Sequence, residues 1–346
     1  MIKIKHQLFY FPKANIRLDS LCELRCDTII DSSYYYGLAC VCQNIQRLII
    51  INTSSKDNHG IVKLIEIQKN LKYFEWKDDF KEECFIDPYE VIFPILTKKA
   101  NTLNHLIIVF EYFEYEHAFL LKVLPELHNL KTLIIDDLEL NNIQLKKLIY
   151  RNLETIKIDY ITINTATCII KNSGGHLREI LLKYYYSLDE GYFNEDSLIF
   201  IRTVYENCPL VESLSIVISS TDDHFIEFEK LLKNCKNLKS ILLILNHNDV
   251  ICNELKSNEA DEELLDILIR SAPTYLKEIR FLDHFSFSLE KLEARSRHNR
   301  RSGLCYSGHC YSGHCYSGCC SGYCSPAQIK LIICNYLLIA ALLPYH

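Results

Sequence analysis

Asn207-Cys208-Pro209-Leu210-Val211-Glu212-Ser213-Leu214-Ser215-Ile216 reads as the end of a helix, a small residue of the buried type and then a short strand. With Cys208 at position zero, apolar residues stand at plus three, plus six and plus eight. The same spacing returns at Cys235 with Leu238, Ile241 and Leu243, and again at Cys42 with Ile45, Leu48 and Ile50. Fixed internal spacing at variable intervals is what stacked repeats leave in a sequence.

Followed through the chain, the plus-three anchor falls at Leu21, Ile45, Leu71, Leu103, Leu130, Leu153, Leu177, Val211, Leu238 and Leu276. The intervals are 24, 26, 32, 27, 23, 24, 34, 27 and 38 residues. Most fit the roughly 20 to 29 residues of a leucine-rich repeat, one strand plus a returning helix or turn. Three and five residues past every anchor the chain stays apolar, from Leu24 and Cys26 and Leu48 and Ile50 through to Ile279 and Phe281. A separation of two is the period of a strand.

Between these strands the apolar period becomes helical. Phe225, Phe228, Leu231 and Leu232 follow Asp222-Asp223, which is suited to a helix start, and Leu264, Leu265, Leu268 and Ile269 follow Asp261-Glu262-Glu263. Asn58-His59-Gly60 opens a third such run. Strand, helix and parallel strand in register predict an α/β leucine-rich-repeat solenoid over residues 18–293, with parallel strands on the concave face and helices on the convex face. Residues 1–17 would be an N-terminal remnant or cap, 294–326 a disordered low-complexity tail and 327–346 a short apolar segment.

Composition agrees with a folded array. Hydrophobic residues make up 49% of the 346, ample for a core. The net charge of -6 argues against broad attraction to nucleic acid or to an anionic membrane. Six of the 16 cysteines sit in one late tract; the ten scattered ones, without a secretory leader at Met1-Ile2-Lys3-Ile4-Lys5-His6, read as reduced thiols of the cytoplasm or nucleus. At position zero they act as small hydrophobes.

Asn207-Cys208-Pro209 with Val211, Leu214 and Ile216, and Asn234-Cys235 with Leu238, Ile241 and Leu243, resemble the cysteine-containing leucine-rich repeats of F-box proteins, the substrate receptors of SCF ubiquitin ligases. Looser units such as Leu127-His128-Asn129-Leu130-Lys131-Thr132-Leu133 and Ser271-Ala272-Pro273-Thr274-Tyr275-Leu276-Lys277-Glu278-Ile279 look like large fungal families of F-box and ribonuclease-inhibitor-like proteins. The likeness runs over about residues 16–292 and is strongest from 125 onward. It implies a non-catalytic module that holds a protein target near a ligase. The family places its adaptor-docking helices ahead of the repeats, where this sequence has only Met1 to Arg17. The SCF adaptor and cullin are therefore expected as partners only where an F-box is supplied. A repeat scaffold or inhibitor-type binder outside the ubiquitin system is the alternative, and a truncated or misread product without independent function is another.

Residues two, four and six past each anchor alternate with the buried strand positions and should line the concave face. They include Arg25, Arg47, Tyr73, Glu75 and Lys77, then Lys157, Asp159, Glu179, Lys183 and Arg280. Mixed charge around aliphatic and aromatic positions suits a protein surface better than a phosphate backbone. Arg47, Tyr73 and Arg280 are the chosen anchors.

From Ala294 the repeat pattern stops. His309, Cys310, His314, Cys315, Cys319 and Cys320 have the ligand types for zinc or copper(I), but lack the paired CxxC spacing of a closed site, so no metal or other cofactor is assigned. Leu331 to Leu343 is apolar apart from Asn335, yet short of the ~20 residues that cross a bilayer; a short helix is expected and no membrane role. No phosphate loop, GxSxG or HExxH occurs, so no enzyme is expected. Gly174-Gly175 should shape a turn, and Tyr34-Tyr35-Tyr36 and Tyr184-Tyr185-Tyr186 should be loop and rim aromatics.

Overall fold

The computed structural model describes residues 13–53, 58–79, 89–110, 118–136, 148–184, 193–246, 254–282, 305–308 and 328–334. The chain divides into two compact units, Met1–Leu177 with Leu182–Tyr186, and Arg178–Leu181 with Ser187–His346. The division falls within the span expected to be one array.

The first unit holds α1 (Ala14–Asp19), β1 (Glu23–Asp27), α2 (Ser32–Val41), β2 (Arg47–Asn52), α3 (His59–Ile67) and β3 (Tyr73–Asp78). It continues with α4 (Tyr89–Leu96), β4 (His105–Val109), α5 (Ala118–Val123), β5 (Thr132–Asp136), β6 (Thr155–Ile161) and α6 (Ile163–Lys171). Strands β1 to β6 pair in parallel and in sequence order. The second unit carries β7 (Glu179–Tyr184, shared at its end with the first unit), α7 (Phe193–Asn207), β8 (Ser213–Ser219), α8 (Asp222–Asn234), β9 (Ser240–Asn246), α9 (Glu254–Ser271) and β10 (Glu278–Leu282). Here too β7 to β10 pair in parallel.

The ten strands are the ten units read from sequence, and the register explains why the spacing is fixed. Leu24, Leu48, Phe74, Leu106, Leu133 and Ile156 stand opposite one another across β1 to β6, each three residues past its anchor. Ile50, Trp76, Ile108, Ile135 and Ile158 form the next row, and both rows are buried from β2 onward. A one-residue slip would turn every one of them to the other face. At β1 the equivalents Leu21, Leu24 and Cys26 are only half-buried, because no described strand lies on the outer edge of that strand.

Position zero is the hub between helix and strand. Cys42, Cys208 and Cys235 are fully buried there, and loss of water pushes their thiols up to about 11, about 12 and about 12. They are inert fillers, as the spacing predicts. Gln68 takes the same place in the third unit and Tyr150 in the sixth. Buried polar groups need partners: Gln68 Oε1 accepts from Ile45 N at 2.9 Å and its Nε2 donates to the Cys42 and Leu64 carbonyls at 2.7 and 2.9 Å. The Tyr150 hydroxyl donates to the Leu124 carbonyl at 2.9 Å.

Several local expectations change. The cap of α8 is Thr221, whose hydroxyl accepts from His224 N, with Asp222 and Asp223 in the first turn; a hydroxyl close to the chain caps while the acids face the positive helix end. Helix α9 starts at Glu254, seven residues ahead of Asp261, since nothing in the run from Glu254 to Ala260 stops a helix. Tyr34-Tyr35-Tyr36 is neither loop nor rim but part of α2. Tyr35 is fully buried, and its hydroxyl donates to the Asp27 carbonyl, so an aromatic body packs inside with its polar tip satisfied. Gly174 and Gly175 do form the expected turn, with φ of 72° and 82°.

Past β10, Gln328–Cys334 pairs in parallel with β10, and Cys305–Gly308 pairs in turn with it, a pairing not foreseen from sequence. The β-branched run Ile329, Ile332 and Ile333 suits a strand better than the short helix expected there.

Candidate functional site

A strand sends alternate side chains to opposite faces. With the apolar pairs of β2 to β6 buried in the core, the residues two, four and six past each anchor are left on the open face of the first unit. Register sorts them into rows. Glu23, Arg47, Tyr73, His105, Thr132 and Thr155 stand side by side. Next come Arg25, Ile49, Glu75, Ile107, Ile134 and Lys157, and then Asp27, Ile51, Lys77, Val109 and Asp136. An aliphatic centre is thus framed by charges of both signs.

The first row is a connected string. The Arg47 guanidinium carbon lies 4.1 Å from the Tyr73 ring centroid, and Arg47 Nε is 3.6 Å from Glu23 Oε1. The Tyr73 hydroxyl donates to Glu75 Oε2 at 2.6 Å, and burial together with that carboxylate pushes the phenol well above its ordinary pKa. The Tyr73 and His105 rings lie 5.9 Å apart, and His105 Nδ1 is 3.0 Å from Thr132 Oγ1. Partial burial, then the charge of Lys131, pushes the His105 imidazole down, which favours its neutral form at pH 7.

Two ion pairs close the other side. Lys157 Nζ meets the Asp136 carboxylate at 2.9 Å, and Lys183 Nζ meets Asp159 Oδ2. Burial pushes the Asp159 carboxyl up, with the Asp136 charge adding to the effect while Lys183 opposes it. At 2% exposure Asp159 offers little direct contact to a partner. It serves first as the counter-ion of Lys183.

Of the residues chosen from sequence, the first unit brings Arg25, Arg47, Tyr73, Glu75, Lys77, Lys157, Asp159 and Lys183 onto one face. Glu179 and Arg280 lie in the second unit, where Arg280 Nη2 is 3.1 Å from Glu278 on the same strand. His105 and Asp136 were passed over. The spacing that chose the others places them too, two past Leu103 and six past Leu130. His309, Cys310, His314, Cys315, Cys319 and Cys320 lie outside the described residues.

Among the described residues no group of three or more His, Cys, Asp or Glu is arranged to hold a metal. No described helix is long and apolar enough to cross a membrane. Ser197 and His224 do meet at 2.6 Å, but both are buried and the second imidazole nitrogen faces Thr221 Oγ1 at 2.8 Å, so the pair ties α7 to α8. No protein-family model matches this chain, and no curated protein matches it.

Proposed function

We propose that the chain is a leucine-rich-repeat module that recognises another protein through the open strand face of its first unit, without doing chemistry on it. One observation carries this: Arg47, 46% exposed, is held over the Tyr73 ring at the head of a row running from Glu23 to Thr155. Arginine and tyrosine dominate binding energy at protein interfaces, above all where neighbours fix them in place. Beside them Ile107 and Ile134 give the apolar centre, and Glu75, Lys77 and Lys157 the polar rim, that such interfaces share.

Within that reading, the F-box resemblance favours a substrate receptor of an SCF-type ubiquitin ligase, acting in cytoplasm or nucleus. A scaffold or inhibitor-type binder is the second reading. Tagged full-length chain and its Arg47→Ala/Tyr73→Ala variant would be recovered from the cells it comes from, with photo-crosslinking at Ile107. A partner crosslinked by wild type and lost by the variant supports recognition. Adaptor and cullin in the same complex support the ligase assignment; a stable partner without them favours the scaffold. No crosslinked partner sensitive to the variant ends the proposal.

A further inference from the structure

We infer that the chain pairs with a second copy of itself through the outer edge of β1, the two edges running antiparallel about a two-fold axis at Leu24. Strand β1 stands at the end of the strand order, with β2 on one side and no described strand on the other. Its backbone alternates in direction. The Cys22 carbonyl accepts from Gln46 N and Arg47 N at 2.7 and 3.0 Å, and Thr28 N donates to the Ile51 carbonyl at 3.0 Å, so the even-numbered residues bond to β2. Glu23, Arg25 and Asp27 therefore turn their N–H and C=O groups outward. Asp27 is already engaged: its carbonyl accepts from the Tyr35 hydroxyl, and its carboxylate from Ile29 N at 2.8 Å and from Thr53 Oγ1. Glu23 and Arg25 remain open, and an open row of this kind is a template for another strand.

Charge selects the occupant. An edge guarded by charges of one sign repels its own copy, but Glu23 and Arg25 are opposite in sign and two residues apart. In an antiparallel pair centred on Leu24, Glu23 of each copy faces Arg25 of the other. These are also the pairs whose N–H and C=O groups point across the join, so they close backbone hydrogen bonds while Leu24 meets its own copy on the core side. A centre at Glu23 or at Arg25 sets like charges against each other, and a centre at Cys26 requires the engaged Asp27. Arg25 is exposed with no hydrogen bond or ion pair among the described residues. The Glu23 side chain, 58% exposed, meets Arg47 at 3.6 Å without a hydrogen bond. Both can reach across the join.

This end of the array is apolar as well as open. Leu21, Leu24 and Cys26 are half-buried, where their equivalents in β2 to β6 are buried. Of eight exposed large hydrophobic side chains among the described residues, Ile16, Ile29, Ile30 and Tyr36 belong to this first repeat. A second copy continues the sheet and takes Leu24 out of water. The interface is isologous, so it closes at two chains. It also sets an Arg47–Tyr73 row on either side of the join, a bivalent face for the partner proposed above.

The test is sedimentation equilibrium of the full-length chain across a wide range of concentration, where wild type should pass from monomer to dimer. Arg25→Glu sets carboxylate against carboxylate across the join and should weaken dimerisation about tenfold or more. The swap Glu23→Arg/Arg25→Glu rebuilds both pairs with their signs exchanged and should return it to within about threefold of wild type. Circular dichroism checks that each variant is folded, and amide exchange in the stretch from Leu21 to Asp27 should slow as wild type dimerises. A wild type that stays monomeric overturns the inference, and loss of the crosslinked partner by Arg25→Glu would then give the edge to that partner. A dimer indifferent to Arg25→Glu, or one not restored by the swap, overturns it as well and places the contact on another surface.

Discussion

Gln68 Oε1 accepts the backbone N–H of Ile45 at 2.9 Å, tying position zero of one repeat to the anchor of the repeat before it. The same side chain reaches back to the Cys42 carbonyl at 2.7 Å. Where other repeats fill this site with a cysteine that only packs, this one uses an amide that stitches neighbouring units by hydrogen bonds.

The two chemistries predict different sensitivities. Gln68→Ala leaves Ile45 N–H and the Cys42 and Leu64 carbonyls without their partner, and also opens a cavity, so a loss of about 3 kcal/mol is expected. Cys208→Ala removes only a packed sulfur and should cost about 1 kcal/mol, with partner binding unchanged. Urea denaturation separates the two. Equal losses would mean that the Gln68 bonds add nothing beyond volume.

Gly174 is held at φ 72°, and a Cβ built on it would lie 2.4 Å from the Arg151 carbonyl oxygen. Backbone cannot move aside as a side-chain tip can. Gly174→Ala should therefore cost about 2 kcal/mol or more. Gly60→Ala should cost as much for a different reason, since its Cβ would meet the Ser32 carbonyl at 2.2 Å where α2 and α3 approach closely. Urea midpoints within a few tenths of a molar of wild type would contradict both.

Tyr73→Phe and Tyr73→Ala divide the roles of the Tyr73 side chain. Phenylalanine keeps the ring under Arg47 and loses only the hydrogen bond to Glu75, whereas alanine removes the platform. A cation over an aromatic ring at an exposed site is worth about 0.5–1 kcal/mol, so neither change should unfold the protein. Partner affinity should fall about 30-fold or more for alanine, equivalent to about 2 kcal/mol, and much less for phenylalanine. Surface plasmon resonance with the crosslinked partner reads the difference, and equal affinities would remove Tyr73 from the interface.

How far the fold was legible follows from what sets each feature. The repeat was readable because Leu48, Phe74, Leu106 and their equivalents must share one face and one register, a constraint on every unit alike. The same alternation located Arg47, Tyr73 and Lys157 on the open face before any contact was known. It could not show that Asp159 is buried beneath Lys183 or that Arg47 lies over Tyr73, because those depend on side-chain reach between strands more than 20 residues apart. Caps slipped for a similar reason. Thr221 and Asp222 are both good cap residues, and backbone geometry chose between them.

Acid stability should report on the helices. Hydrogen bonds from Lys98 and then Lys63 hold the Glu66 carboxyl down to about 2, and Arg270, then Lys233 and Ser271, hold Glu229 down to about 2. Each lies below the ~4.3 of an unfolded glutamate, so the stability they contribute is fully present above that pH and is lost as pH falls toward about 2. Asp159 runs the other way: burial raises its folded pKa, so its protonation favours the folded state as pH falls. The Glu66→Gln/Glu229→Gln variant should therefore show a shallower fall in urea midpoint between about pH 4.5 and 2 than wild type, whereas Asp159→Asn should show a steeper one. Because Glu66 and Glu229 lie toward solvent, 0.5 M salt should flatten the wild-type curve toward that of the double glutamine variant. Parallel curves for wild type and the double variant at low salt would mean that Glu66 and Glu229 keep ordinary carboxylate pKa values in the folded chain.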